Sequence, residues 1–240
     1  METVTSASLP PYAEAVSHTA ADDLLQPVIL VLDGQSIYAE SDPTINLYEV
    51  NRGITSLGRA TLNVKFTRID RSAGNANPRP KHIYDLHHTP SLVRVPSTHA
   101  AEYFIEALAA PARRLLGHLG FRTTHGIPKD WAALPVDMRG WSELHYPPFV
   151  AGAAPVFEAH HREGVCRWTD GDGRDVAVEY DSDRQCRLLV TAPLPRETRD
   201  ALVALWCCRL WQQSVNRQWP TLRTLYSGIF SGWKTSFDAW

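Results

Sequence analysis

The N-terminal stretch carries the sharpest recognition motif of the chain. Leu9-Pro10-Pro11-Tyr12 fits the Leu/Pro-Pro-x-Tyr pattern read by WW domains. The proline pair pre-forms a polyproline II turn, which lowers the ordering cost, and the tyrosine fills a groove pocket. Its partner chemistry would be a WW-domain protein, typical of HECT-type ubiquitin ligases.

A second motif lies at the other end. Leu222, Leu225, Tyr226, Ile229, Phe230, Trp233, Phe237 and Trp240 recur at spacings of three and four, with Arg223, Ser227 and Lys234 off the stripe. The pattern predicts an amphipathic helix over 217–240 with Pro220 in its first turn. Gly228 and Gly232 each weaken it by roughly 1 kcal/mol, so the helix depends on a docking surface. That surface is either the rest of this protein or a membrane. Tryptophans at 219, 233 and 240 with Arg217, Arg223 and Lys234 suit an interface of anionic lipid headgroups.

The remaining reactive residues fall into weaker arrangements. His87-His88 and His160-His161 are adjacent pairs, whose members point to opposite faces of a strand. One from each pair with Cys166 would make a zinc set, but no spaced ligand pattern supports it, and neither a resident metal nor a cofactor is expected. Asp170, Asp172 and Asp175 evoke a calcium loop, yet Arg174 stands at the fifth position and Asp175 at the sixth, where glycine is required. A solvated hairpin turn is the expectation. Cys207 and Cys208 read as small apolar core residues. There is no GxSxG elbow and no P-loop, so no catalytic constellation is expected.

The elements that must position these residues are mostly short strands. Val28–Leu32, then Asp33-Gly34 as a turn, then Ser36–Ala39 read as a hairpin. Ile45–Val50 is a further strand, and Leu62, Val64 and Phe66 alternate with Asn63, Lys65 and Thr67 in a half-buried one. Arg71–Pro80, with glycine, asparagine and two prolines, reads as a loop before a strand from Lys81. Ala101–Leu119 fits either a helix broken at Pro111 or two strands. Prolines at 128, 135, 147, 148 and 155 divide the next stretch into loops. A meander follows: Val156–His160, Val165–Thr169, Asp175–Tyr180 and Cys186–Thr191, with Asp170-Gly171-Asp172-Gly173 as a turn. Glu197–Val215 then shows almost no polar face, the mark of a helix buried on all sides.

Many short strands before one all-apolar helix is an uncommon order. The meander Val156-Phe157-Glu158-Ala159, Cys166-Arg167-Trp168, Val176-Ala177-Val178-Glu179 and Arg187-Leu188-Leu189-Val190, followed by the helix Asp200 to Trp211, resembles the tubby C-terminal-like superfamily. That superfamily includes tubby proteins, phospholipid scramblases and LURP-one-related proteins. Asn46–Arg52 and Lys81–Leu86 look like paired strands of an uncharacterised fungal branch. The resemblance spans residues 27–216, with a poorly matching middle from 108 to 155. It implies a closed β-barrel around a hydrophobic C-terminal helix, and a lipid-binding role in the better known branches. No position here matches tubby's basic phosphoinositide ligands, and the Arg174 departure argues against calcium control of the scramblase kind.

The composition agrees. In 240 residues, 44% hydrophobic and 21% charged, with 24 Lys plus Arg against 26 acids, a core can form and the net charge gives no case for nucleic-acid binding. No apolar run reaches the length of a membrane-spanning helix. Residues 1–26 hold four acids and no Lys or Arg and read as a disordered acidic tail. The four cysteines form no CxxC pair, which fits a reducing, cytoplasmic location with access to membrane surfaces. The expectation is therefore mainly β: a barrel of ten to twelve strands over 27–216, packed round a helix at 199–215, then the amphipathic helix. The expected function is a non-catalytic binding module, peripheral to membranes and of the phosphoinositide-binding kind. The alternative is a protein adaptor recruited through Leu9–Tyr12.

Overall fold

The computed structural model describes residues 24–72, 75–89, 99–108, 115–123, 130–139, 141, 146–182 and 185–218. Twelve strands form a closed antiparallel barrel in simple chain order: β2 (Val28–Asp33), β3 (Ser36–Ala39), β4 (Asp42–Val50), β5 (Asn63–Ser72), β6 (Asn75–His88), β7 (Tyr103–Ala107), β8 (Leu119–Thr123), β9 (Asp130–Pro135), β10 (Phe157–Arg162), β11 (Val165–Asp170), β12 (Asp175–Ser182) and β13 (Gln185–Val190). The ring closes where β13 pairs with β2, Leu188 opposite Leu30. A two-residue strand β1 (Leu24–Leu25) pairs with β14 (Leu194–Pro195) beside the ring. Helix α1 (Arg196–Gln218) follows directly.

Closure removes free sheet edges, but a twelve-stranded ring is too wide for its own side chains to fill. The helix resolves this. From Asp200 through Trp211 every residue is buried, whichever way it points round the axis, and Leu205, Trp206 and Trp211 are fully enclosed. Inward positions of the strands complete the core: Leu30, Ile37, Val64, Phe66, Leu86, Ile105, Phe157, Trp168 and Leu188. The buried helix and the alternation of Val64 and Phe66 agree with the sequence reading, although Leu62 lies just ahead of β5 and is exposed.

Four boundaries differ. Arg71–Pro80 is not a loop: β5 runs to Ser72 and β6 starts at Asn75, with Ile69 opposite Pro80. The prolines fit because the β7 ladder covers β6 only from Tyr84 to His88, with Leu108 reaching back to Ile83, so among the described residues Asn75–His82 pairs with β5 alone, where an edge proline is tolerated. Residues 103–107 and 119–123 are strands, which decides between the two readings of that region. Asp130–Pro135 is also a strand, ending on its proline rather than being broken by it. Leu24 and Leu25, at the end of the expected tail, are paired, and the helix runs two residues past 216.

A flap lies outside the ring. Ala100 bridges Pro148 and Val136 bridges Phe149, and Ala101, Phe104 and Val136 form a second small core with Met138, Trp141 and Phe149. Gly120 on β8 makes the approach possible: a Cβ there would stand 2.3 Å from that of Ala101.

Candidate functional site

The apolar helix carries two buried charges, and each finds a partner on the wall. Arg209 donates from Nε to Glu179 Oε2 at 2.7 Å and pairs with Oε1 through its terminal nitrogen. Trp168 Nε1 donates to the same carboxylate at 3.4 Å, and the guanidinium lies 5.3 Å from the centre of the Trp131 ring. Asp200 pairs with Arg68 and accepts from Tyr48 Oη at 2.9 Å. Burial raises the Tyr48 hydroxyl, with the Asp200 charge adding to it, so Tyr48 remains a donor. Glu179 is in phase with inward-facing Ala177, and Arg68 with Val64 and Phe66. Strand alternation therefore sends both into the lumen.

The second locus is the mouth of the barrel around the N-terminus of α1. Here the β5–β6 hairpin extends beyond the ring. Register places Lys81 opposite Arg68 and Arg79 opposite Asp70, while α1 contributes Arg196 and Arg199. Of these five cations Lys81 and Arg196 act on Asp70 and Arg199 on Tyr48, and the carboxylates nearby are Asp70, Asp200 and Glu197. Arg68 holds Asp70 with Nε–Oδ1 at 2.6 Å. Burial alone would raise the Asp70 carboxyl, but the Arg68 guanidinium, with Lys81 and Arg196 nearby, brings it below its ordinary range. Arg199 Nε is buried without a hydrogen-bond partner among the described residues. The helix N-terminus adds roughly half a positive charge. The mouth is thus a basic rim.

The third locus is the outer face of β6 and β7. A bulge at Ile83 changes the register between Phe66 and Thr67 on the neighbouring strand, leaving both Ile83 and Tyr84 buried. His82 and Asp85 then share the outer face, with His82 Nε2 2.9 Å from Asp85 Oδ1. His87 lies two residues further on, 2.9 Å from Glu106 Oε2, and Glu106 is the register partner of Asp85. His87 and His88 do point to opposite faces, yet both are buried. His87 stacks on Phe104 under the flap and meets Trp141 edge-on, whereas His88 stacks on Tyr103 and meets Trp211 of the helix.

The zinc set joining the two histidine pairs with Cys166 does not assemble. β6 and β10 are separated by β7, β8 and β9 in the ring, and His160 is instead 3.4 Å from Asp130 and 3.7 Å from Glu158. The Asp170–Gly173 segment is a turn, with Gly173 at φ +78°. Asp170 accepts from the Asp172 and Arg174 amides, and Arg174 pairs with both aspartates. Cys207 and Cys208 are buried among the core, and burial pushes both thiols up, away from reactivity.

Leu9, Pro10, Pro11 and Tyr12 lie outside the described residues, as do Arg223, Ile229, Phe230, Trp233, Lys234 and Trp240. The luminal charges, the basic mouth and the outer histidine–carboxylate group escaped the sequence reading. Among the described residues no helix is long and apolar enough to cross a membrane. No family model, curated protein or solved structure matches the chain.

Proposed function

We propose that the protein is a non-catalytic module that binds anionic lipid headgroups, phosphoinositides foremost, at a membrane surface. The observation that carries this reading is the basic rim of Arg79, Lys81 and Arg196 at the N-terminus of α1, behind which Arg68 and Arg199 lie further in. The helix occupies the lumen, so a headgroup would be met at the mouth and the acyl chains would stay in the bilayer. Each basic residue near an anionic surface contributes about 1 kcal/mol, and a phosphate at a helix N-terminus is favoured by backbone N–H groups and the dipole together. The stripe through Ile229, Phe230 and Trp233 would add interfacial anchoring.

Sedimentation with phosphatidylcholine vesicles, with and without a phosphoinositide, tests it. Binding should require the anionic lipid, weaken with salt and fall at least about tenfold in Arg79→Glu/Lys81→Glu, two reversals at about 1 kcal/mol or more each. Equal binding by wild type and variant would exclude the mouth. Deleting 217–240 then reports the share of the C-terminal stripe. The adaptor reading rests on Leu9-Pro10-Pro11-Tyr12. It predicts capture by a WW domain that Tyr12→Ala abolishes, with vesicle binding unchanged.

A further inference from the structure

We propose that the outer face of β6 and β7 is a binding site for a divalent transition metal of the zinc class, held by His87, Asp85 and Glu106, with a fourth position open to solvent. The argument begins with side-chain chemistry. A neutral imidazole and two carboxylates are ligands that zinc accepts, while calcium and magnesium favour all-oxygen shells. One ligand atom from each of Asp85, His87 and Glu106 can be chosen so that all lie within 4.8 Å of one another. Tetrahedral zinc with bonds near 2.0–2.2 Å separates its ligand atoms by about 3.3 Å. The His87–Glu106 separation is 2.9 Å, so that pair must open slightly while Asp85 turns inward, by up to about 1.5 Å, for all three to reach one ion.

The sheet itself sets the placement of these residues. Asp85 and His87 share a face because they are two apart on one strand, and Glu106 faces Asp85 by register. His82 reaches Asp85 from the flank only through the Ile83 bulge; in an unbroken strand it would share the inward phase of Tyr84. Bulges of this kind redirect side chains locally. The His87 ring is fixed by stacking on Phe104 at 4.8 Å between centroids and by the edge contact with Trp141 at 5.0 Å. It therefore presents Nε2 to Glu106 from a site where the side chain is 9% exposed. Asp85 and Glu106 remain partly open, which gives the ion an entry path.

The test uses the full chain and metal alone. Calorimetric titration with Zn2+ should show saturable one-to-one binding, and Co2+ should give visible absorption of a low-coordinate nitrogen and oxygen site. Glu106→Gln keeps an acceptor for His87 on a half-exposed side chain, so its fold is retained and its melting curve verifies that. Its metal affinity should fall by about tenfold to hundredfold or more, and Asp85→Asn should behave alike. His160→Asn alters the separate group with Asp130 and Glu158 and should bind as wild type does. The proposal is overturned if wild type shows no saturable binding, if both carboxylate variants bind as wild type does, or if the loss follows His160→Asn instead.

Discussion

The two charges that α1 carries into the lumen are alike in burial and unlike in surroundings. Asp200 and Arg209 are nine residues apart, which is two and a half turns at 3.6 residues per turn. They therefore leave opposite sides of the helix, about 13 Å apart along its axis, and reach β5 and β12. Those strands stand five places apart one way round a ring of twelve and seven the other, close to opposed walls. One pair alone would leave the helix free to pivot; two on opposed walls set both its rotation and its depth. Arg209–Glu179 is closed off by Trp168, Trp131 and Gln213. Asp200–Arg68 continues outward through Asp70 to the basic mouth. The first pair is isolated from solvent and serves position alone, while the second joins the core to the basic mouth.

The largest effect should come from removing the condition on which both pairs depend, an apolar lumen. Leu205→Asp places an unpaired carboxylate at a fully buried position between them. The cost is several kcal/mol, comparable with the whole stability of a domain, and soluble expression should be lost. A soluble, cooperatively melting Leu205→Asp protein would contradict the luminal helix.

Next in size is the closed pair. Glu179→Gln leaves Arg209 charged and without its counter-ion, and should cost about 3–5 kcal/mol in urea unfolding. The double variant Glu179→Leu/Arg209→Met removes both charges at similar volume and should recover most of that loss. Failure to recover would mean that the pair is itself a net source of stability rather than a positional device.

How far these features can be read in the sequence depends on whether they are periodic. The helix, the β5 alternation, the meander and its Asp170–Gly173 turn all repeat or carry turn chemistry, and they are legible. A single charge in an apolar helix has no period. Its signal is a mismatch: Glu179 and Arg68 stand at inward phases of their strands, which only opposite charges inside the barrel can justify. The outer histidine–carboxylate group was hidden for another reason. Its ligands come from two strands whose pairing depends on a bulge and on β7, in a stretch where helix and strand patterns compete. Bulges leave no mark in composition. The basic mouth was concealed by the prolines of Arg71–Pro80, which read as loop until the edge position of that half of β6 is known.

A smaller effect belongs to the open pair. Asp200→Asn should cost about 1–2 kcal/mol at neutral pH, less than Glu179→Gln because Arg68 keeps Asp70. Its pH dependence has a definite sign. Burial pushes the Asp200 carboxyl up, against the opposing influence of Arg68 and Tyr48. The folded state then holds its proton longer than the unfolded chain, whose aspartates ionise near about 3.9. Stability should therefore fall as pH rises from about 3.9 to the raised folded value, and this contribution should be level above it. Asp200→Asn should lack that slope. A variant whose stability profile parallels wild type across this window would show that Asp200 is not the group responsible.

The smallest effect concerns β1, which pairs with β14 immediately before α1. Two chains, one beginning at Leu24 and one at Pro27 after an added methionine, differ only in that strand. Leu24 is 45% exposed and Leu25 half-buried, so little apolar area is lost, and a two-residue pairing contributes on the order of 1 kcal/mol. The informative quantity is where the loss couples. β14 runs straight into the first turn of α1, so deleting β1 should act on the same end of the helix as Asp200→Asn. Their combined cost should depart from the sum by at least about 0.5 kcal/mol, whereas β1 deletion and Glu179→Gln, at distant ends of the lumen, should add. Urea unfolding of the four combinations measures both couplings. Equal coupling to both pairs would mean that α1 moves as one rigid rod, and that the open end has no independence from the closed one.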